Sequence, residues 1–327
     1  DLRKKEGAEL LLKMLPEFDV LIENFKPGTL DRWGLDIETL WKANPKLVVL
    51  RTTAFGQTGP YIGKPGFARI FEAMGGLTHI TGDPDRPPMH TGYPISDAFG
   101  GVFGAMAILE ALFKVAREEP AMGEEIDLSL TEATFRLLDF LAIEYDQLGV
   151  VRGRSGNKNQ YSAPSDVYMT SDKKYVSLAG STNATFKGNA TAVGRPDLLD
   201  DPRFATNGLR VENAEELDKI FGSFIASHTL DEVVEAFDKA KGTVAPIYSV
   251  EQIFNDPQYQ AREAIVPVPD DDFGSVRLQN VVPRFTRNPG SIRWTAKDLG
   301  VDSDAIFEKI LGLTKDEIAA FREKGII

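Results

Sequence analysis

The chain predicts an α/β fold: a large domain on a parallel sheet, followed by a smaller α+β domain. Three observations predict it. Helix and apolar strand alternate over residues 1 to about 54, the rhythm of a parallel sheet with covering helices. A loop dense in Gly and Pro spans 55–66, directly after the second strand, where α/β sheets carry their active-site loops. A Gly-, Ser-, Asn- and Arg-rich stretch from Val150 to Ser165 then reads as a linker, with strand-like segments resuming beyond it.

In chain order, Lys5 to Leu15 reads as a helix that Pro16 ends, and Val20 to Glu23 as a buried strand. A helix from about Asp36 to Lys42 and a strand from Leu47 to Thr52 follow. Ala68 to Met74 is helical, Gly75-Gly76 ends it, and Gly82 to Tyr93 is a second turn-rich loop. Helices are expected at 98–117 and 129–149, the second starting at Asp127-Leu128-Ser129, with Asp127 and Ser129 as its caps. Beyond the linker come strands at Val167–Thr170 and Lys174–Ala179, joined by the turn Ser171-Asp172-Lys173. Helices near 183–193, 213–227 and 230–241, a strand near Ala245–Tyr248 and an extended Val276–Phe285 complete this part. Two final helices, about 302–311 and 314–323, end at Gly325. The expected division is a large domain over 1–150, a linker over 151–165, a small domain over 166–270, and a return to the large domain over 271–327. The chain opens at Asp1 on a helix with no strand before it, which reads as a missing N-terminal segment.

Composition narrows the function. With no cysteine, disulfides, thiolate catalysis and cysteine-ligated metals are excluded. The three histidines, His79, His90 and His228, are not at metal-ligand spacing, and Asp270-Asp271-Asp272 reads as a solvated loop. A net charge of −12 argues against a nucleic-acid surface, which needs clustered Lys and Arg. No apolar run is read as long enough to cross a bilayer and no signal-peptide pattern is seen, so the expectation is a cytoplasmic protein without a membrane partner.

The most informative stretch runs from Gly92 to Leu109, Gly-Tyr-Pro-Ile-Ser-Asp-Ala-Phe-Gly-Gly-Val-Phe-Gly-Ala-Met-Ala-Ile-Leu. It sets Asp97 at the mouth of an apolar, glycine-rich helix. Asp97 there is either an N-cap, accepting the unpaired N–H groups of the first turn, or a carboxylate kept ionised by the helix dipole and available as a nucleophile.

Glu23-Asn24-Phe25-Lys26-Pro27-Gly28 continues to Arg32 and Gly34. Phe55-Gly56-Gln57-Thr58-Gly59-Pro60, Glu72-Ala73-Met74-Gly75-Gly76-Leu77 and Ile80-Thr81-Gly82 follow it, and later Gly123 to Leu130, Asp201-Pro202-Arg203-Phe204 and Pro289-Gly290. Together these segments resemble the class III CoA-transferases, the family of formyl-CoA, carnitine and bile-acid CoA-transferases with α-methylacyl-CoA racemase as a side branch; the first resembles the family's ENF-x-PG element. The resemblance covers the whole chain.

It implies a Rossmann-like large domain, a smaller second domain and an interlocked homodimer. It also implies CoA transfer from an acyl-CoA to a free carboxylic acid, with coenzyme A as co-substrate and no metal. Asp97 falls at the position of the nucleophilic aspartate, which attacks the thioester, passes through a mixed anhydride and carries CoA as an aspartyl thioester. Asn24, Phe25, Arg32 and Arg3 match the family's CoA-binding positions, with Phe25 suited to an adenine face and the arginines to phosphates. Gln57, Phe67, Gly100 and Gly101 are expected in the substrate pocket, with Gln57 and the Gly100–Gly101 backbone beside the thioester. Where racemases place a histidine after Gly66, this chain has Phe67, and a phenyl ring moves no proton. The nearest match to the family's glycine-rich lid, Ser155-Gly156-Asn157-Lys158-Asn159-Gln160-Tyr161, lacks a glycine run. Two other readings stay open: a racemase or epimerase using Asp97 with a displaced base, and a non-catalytic acyl-CoA-binding subunit.

Overall fold

Short apolar strands and the helices between them build the first unit of the protein, whose computed structural model describes residues 1–327. Through residue 156 this unit holds α1 (Lys5–Met14), β1 (Val20–Glu23), α2 (Thr29–Arg32), α3 (Ile37–Ala43), β2 (Val48–Thr53) and α4 (Ala68–Met74). It continues with α5 (Leu77–Ile80), α6 (Ile95–Val115), β3 (Glu125–Ser129), α7 (Leu130–Arg136) and α8 (Asp139–Leu148). A second unit, 157–299, contains β4 (Ser165–Met169), β5 (Tyr175–Ala179), α9 (Asn183–Ala192), α10 (Asn207–Glu212), α11 (Ala214–Ser227) and α12 (Leu230–Ala240). It ends with β6 (Val244–Pro246), α13 (Val250–Asn255), α14 (Pro257–Ala261) and the hairpin β7 (Ile265–Asp270) and β8 (Gly274–Gln279). The chain then rejoins the first unit with α15 (Ser303–Leu311) and α16 (Lys315–Glu323).

The sheet of the first unit is β1-β2-β3, parallel throughout, with β2 in the centre. Its register pairs Ile22 with Leu50 and Leu50 with Ile126, so these share one face. On that face α6 lies close: a Cβ at Gly104 would stand 3.0 Å from Leu50 Cδ2. The other face carries Val49, packed with Ala8, Leu15, Leu30, Leu35, Leu40 and Leu47 of α1–α3 and their loops. The result is helix, sheet, helix. Asp1 and Lys4 hold the end of the chain, the Lys4 ammonium donating to the carbonyls of Lys324 at 2.7 Å and Gly325 at 3.0 Å.

In the second unit β4-β5-β6 is antiparallel, and α9, α11 and α12 bury Phe186, Leu217, Phe221, Ile225, Val233 and Phe237 against Val176 and Leu178 of β5. Arg210 is fully buried here. Its guanidinium donates to the carbonyls of Ala163, Phe204 and Ser181 and to Asn183 Oδ1, and it lies over the Phe186 ring with 4.6 Å to the centroid.

Several expectations change. Residues 125–129 form β3, not the start of a helix: Asp127 is a strand residue, and only Ser129 caps α7, accepting from Glu132 N. The helix expected over 129–149 is interrupted at Leu137-Leu138, giving α7 and α8. The hairpin β7–β8 crosses 270/271, so the contacts place the chain's return at 300 and not at 271. By length and composition α6 is apolar enough to span a bilayer, against the expectation of no such run. Asp97, Glu110 and Lys114 break its apolar run when read residue by residue.

Candidate active site

Parallel strands end together, and the loops after them meet at one edge of the sheet. Here the loop after β1 begins with Asn24-Phe25-Lys26-Pro27 and the loop after β2 runs from Ala54 to Phe67. α6 starts beside them. A cavity of about 630 Å³ lies among these elements, walled by Asn24, Phe25, Lys26, Thr52 and Phe67 and by Asp97, Gly100 and Gly101 of α6. Lys26 and Asp97 are the only charged side chains in its wall.

Arg51, at the centre of the sheet, shapes the first loop. It is buried, and its guanidinium meets Glu125 at 2.6 Å, Asp31 at 3.4 Å and Glu23 at 3.8 Å. The Nε–Glu125 approach is off the N–H direction, so that contact is an ion pair and not a directed hydrogen bond. Glu23 Oε2 in turn accepts from Phe25 N at 2.7 Å, which fixes the turn into the loop. Burial raises the Glu23 pKa, partly offset by that N–H and by Arg51. Asn24 donates to the Thr52 carbonyl, bridging the ends of β1 and β2. The Phe25 ring stands edge-on to Trp33, centroids 5.2 Å apart, with much of it still open to the cavity.

The second loop is fixed by Asp127, whose two carboxylate oxygens each lie 3.0 Å from Gln57 N. Gly56 makes this approach possible: its φ is +84°, and a Cβ there would stand 3.4 Å from both oxygens.

Asp97 is the third residue of α6, which starts at Ile95 after an N-cap, Pro94, that has no side-chain hydrogen bond. Its carboxylate makes no hydrogen bond within the protein, so the N-cap reading does not hold. Nor is it held at a low pKa by the helix end: burial, and then the charge of Glu72, raise it. Glu72, on α4, is 1% exposed and has His90 Nδ1 3.0 Å from Oε2. Ser96, next to Asp97, points into the protein, where Thr134 Oγ1 lies 2.8 Å from its hydroxyl.

Of the residues expected from sequence, Asp97, Asn24, Phe25, Phe67, Gly100 and Gly101 share the cavity wall. Arg3, Arg32 and Gln57 are not in that wall. Arg3 pairs with Asp1 at 2.8 Å and Arg32 donates to Thr29 Oγ1 at 2.8 Å. His79 and His90 are not in the wall either. Sequence reasoning missed Lys26, Arg51 and Glu72. Arg51 carried a signal, a cation inside the apolar strand Val48–Thr53, since a charge there must be paired. Glu72 opens the matched segment Glu72-Ala73-Met74-Gly75-Gly76-Leu77, but nothing in that match gave it a role.

Three comparisons bear on this site. The family model for CoA-transferase family III matches residues 1–303. The chain is 39% identical over 327 residues to the succinyl-CoA–D-citramalate CoA-transferase of Chloroflexus aurantiacus, covering all of this chain and 81% of that protein. It is 34% identical over 272 residues to the succinate–glutarate CoA-transferase of Agrobacterium fabrum, covering 83% and 67% of the two chains. The crystal structure of a CAIB/BAIF family protein from Brucella suis superposes with a TM-score of 0.80 at 32% identity, over 95% of this chain and 80% of that one.

Proposed function

The chain belongs to CoA-transferase family III, and from that premise we propose that it moves CoA from succinyl-CoA to a second dicarboxylic acid through an aspartyl-CoA thioester on Asp97. The observation that carries the reading is a carboxylate with no hydrogen-bond partner in the protein, at the mouth of a glycine-rich helix and in the wall of a cavity. A carboxylate already satisfied by backbone N–H groups is a poor nucleophile; Asp97 is free of them.

One Asp97 oxygen attacks the thioester carbon, the C–S bond breaks, and CoA leaves as thiolate with a mixed anhydride on the enzyme. The thiolate then attacks the Asp97 carbonyl of that anhydride and releases the donor acid. The acceptor carboxylate attacks the resulting aspartyl thioester, CoA leaves again, and its return to the acceptor carbonyl frees Asp97. Each step exchanges one activated acyl bond for another, so no step needs an external oxidant or hydrolysis. Phe25 offers a ring face for adenine, and Asn24 and Lys26 offer donors to the anionic parts of CoA or acid. Gly100 and Gly101 leave room for the thioester beside Asp97. The names of the two relatives support succinyl-CoA as donor and a dicarboxylate as acceptor.

Succinyl-CoA mixed with the protein and quenched with borohydride or hydroxylamine tests this by peptide mass. Modification of the peptide carrying Asp97 supports the reading, and an unmodified Asp97 with several acyl-CoA donors refutes it.

Gly100 and Gly101 separate fold from site. A Cβ at Gly100 would lie 2.1 Å from Leu130 Cδ2, whereas one at Gly101 meets nothing within 4 Å. Gly101→Ala is therefore expected to fold with unchanged or slightly raised stability, about 0.5–1 kcal/mol from helix propensity. The same methyl intrudes on the cavity wall, so KM for acyl-CoA is expected to rise; an unchanged KM in steady-state assays removes Gly101 from the thioester's surroundings.

The outer side of α6 exposes Val102, Met106, Leu109 and Phe113, an i, i+4, i+7, i+11 stripe. A second copy of the chain is the proposed cover, in an interlocked homodimer. Light scattering on the purified protein is expected to give twice the chain mass; a monomer mass at micromolar concentration counts against the dimer.

A further inference from the structure

Two carboxylates are buried in the first unit, and they are treated differently. Glu23 has Arg51 and the Phe25 N–H. Glu72 has one imidazole on Oε2, while Oε1 is buried and meets no donor. A buried carboxylate oxygen without a partner costs stability, and such a group calls for an explanation in what lies next to it. α4, which carries it, packs against α5, α6 and α7, and of these α6 brings the Asp97 carboxylate under the influence of the Glu72 charge.

The start of α6 is unusual in a complementary way. An aspartate in the first turn of a helix normally settles onto the free N–H groups and the positive end of the dipole. Asp97 does neither. The elements around α6 carry Lys26 on the loop after β1, Arg51 on β2, Arg69 and Glu72 on α4, His79 on α5, His90 on the following loop, Glu125 and Asp127 on β3, and Glu132 and Arg136 on α7. Of these, Glu72 is the one whose charge bears on Asp97. His90, held between Glu72 at 3.0 Å and Thr78 Oγ1 at 3.3 Å, fixes the Glu72 carboxylate in place.

From this geometry we infer that Glu72 is a positioning residue for Asp97: clamped by His90 and packed against α6, its carboxylate keeps Asp97 out of the helix-end resting pose and turned to the cavity. The inference rests on Asp97 being the nucleophile. The raised Asp97 pKa agrees with it, since a like charge nearby makes the Asp97 anion less comfortable and more basic. No role falls to Glu72 in bond making; it acts through Asp97.

The test is the rate of adduct formation on Asp97 from succinyl-CoA in single-turnover mixing, followed by intact mass across the acid and neutral range. It compares the full chain with Glu72→Gln, His90→Gln and Asp97→Ala, with a thermal melt for each. Glu72→Gln is expected to keep the adduct but form it roughly 10–100-fold more slowly at neutral pH, by analogy with the loss when the residue that orients a metal ligand is removed. Its acid limb moves to lower pH, because Asp97 then ionises more easily. His90→Gln removes the imidazole that takes up part of the Glu72 charge, so its acid limb moves to higher pH. Opposite movements are not what damage to the fold produces, and His90→Gln reads the same coupling if Glu72→Gln does not fold. A Glu72→Gln protein with the parent rate and pH profile overturns the inference, and so does one whose profile is merely scaled down with a lower melting temperature. Asp97→Ala forming the adduct at the parent rate instead overturns the nucleophile reading itself.

Discussion

Asp97→Ala is expected to remove turnover of succinyl-CoA with an acceptor acid, a loss in kcat on the order of 10⁴ or more, as when a covalent catalyst loses its nucleophile. Stability should move the other way or not at all. Asp97 makes no hydrogen bond, is partly desolvated and feels the Glu72 charge, so the fold gains nothing from its anion. With the folded-state pKa raised, the folded protein holds the proton more tightly than the unfolded chain does. The stability difference is therefore nil in strong acid, and the wild-type chain loses stability as pH rises through the folded pKa. Asp97→Ala escapes that loss. Its melting temperature should equal that of the parent in acid and match or exceed it at neutral pH. A variant that melts earlier at neutral pH would mean the carboxylate has a structural partner after all; one that keeps full turnover would assign the chemistry elsewhere.

The largest loss of stability is expected at Arg210. One planar cation satisfies three backbone carbonyls and Asn183 Oδ1 from three separate stretches of chain, with no carboxylate near it, and burial lowers its pKa. Arg210→Met fills much of the volume but strands those four acceptors in the core. A cost of about 3–5 kcal/mol is expected, comparable to breaking a buried ion pair by removing one partner. Arg210→Lys should recover little, because an ammonium lacks the flat fork that reaches four acceptors and lies over Phe186. Urea unfolding monitored by amide exchange on α9 to α12 checks this. Loss of less than about 1 kcal/mol would show that water replaces the guanidinium without penalty.

What could be read from the residues followed the strength of local signals. Val20–Glu23 and Val48–Thr53 are apolar runs flanked by breakers, and both form strands within a residue of expectation. Glu125-Ile126-Asp127-Leu128-Ser129 carries the alternation of a strand over only five residues, and Ser129 followed by Thr131-Glu132 reads as a helix start, which it also is. Pro267 and Pro269 hid β7: proline demotes a strand, yet a two-stranded hairpin tolerates it at its edges. At the site, the resemblance pointed to Asp97 and to Asn24 and Phe25, because each sits in a contiguous motif. The Glu72–His90 pair, 18 residues apart, exists only once α4 and the 81–94 loop meet. Gln57 is expected beside the thioester from its own motif, and nothing local shows that Asp127, 70 residues on, accepts its backbone N–H.

The first unit is discontinuous, and this has a consequence for how the chain is made. Ile318 and Ile326 are buried, and Asp1 and Lys4 bind the carbonyls of residues 324–326. During synthesis α1 packs early with α3 and the first two strands' loops, while Lys4 waits 320 residues for the Lys324 carbonyl. The second unit, residues 157–299, is contiguous and emerges complete while the first is still unfinished. Vectorial synthesis thus lets the second unit complete its core before the first unit closes, and the contact of Lys4 with the Lys324 and Gly325 carbonyls is among the last to form.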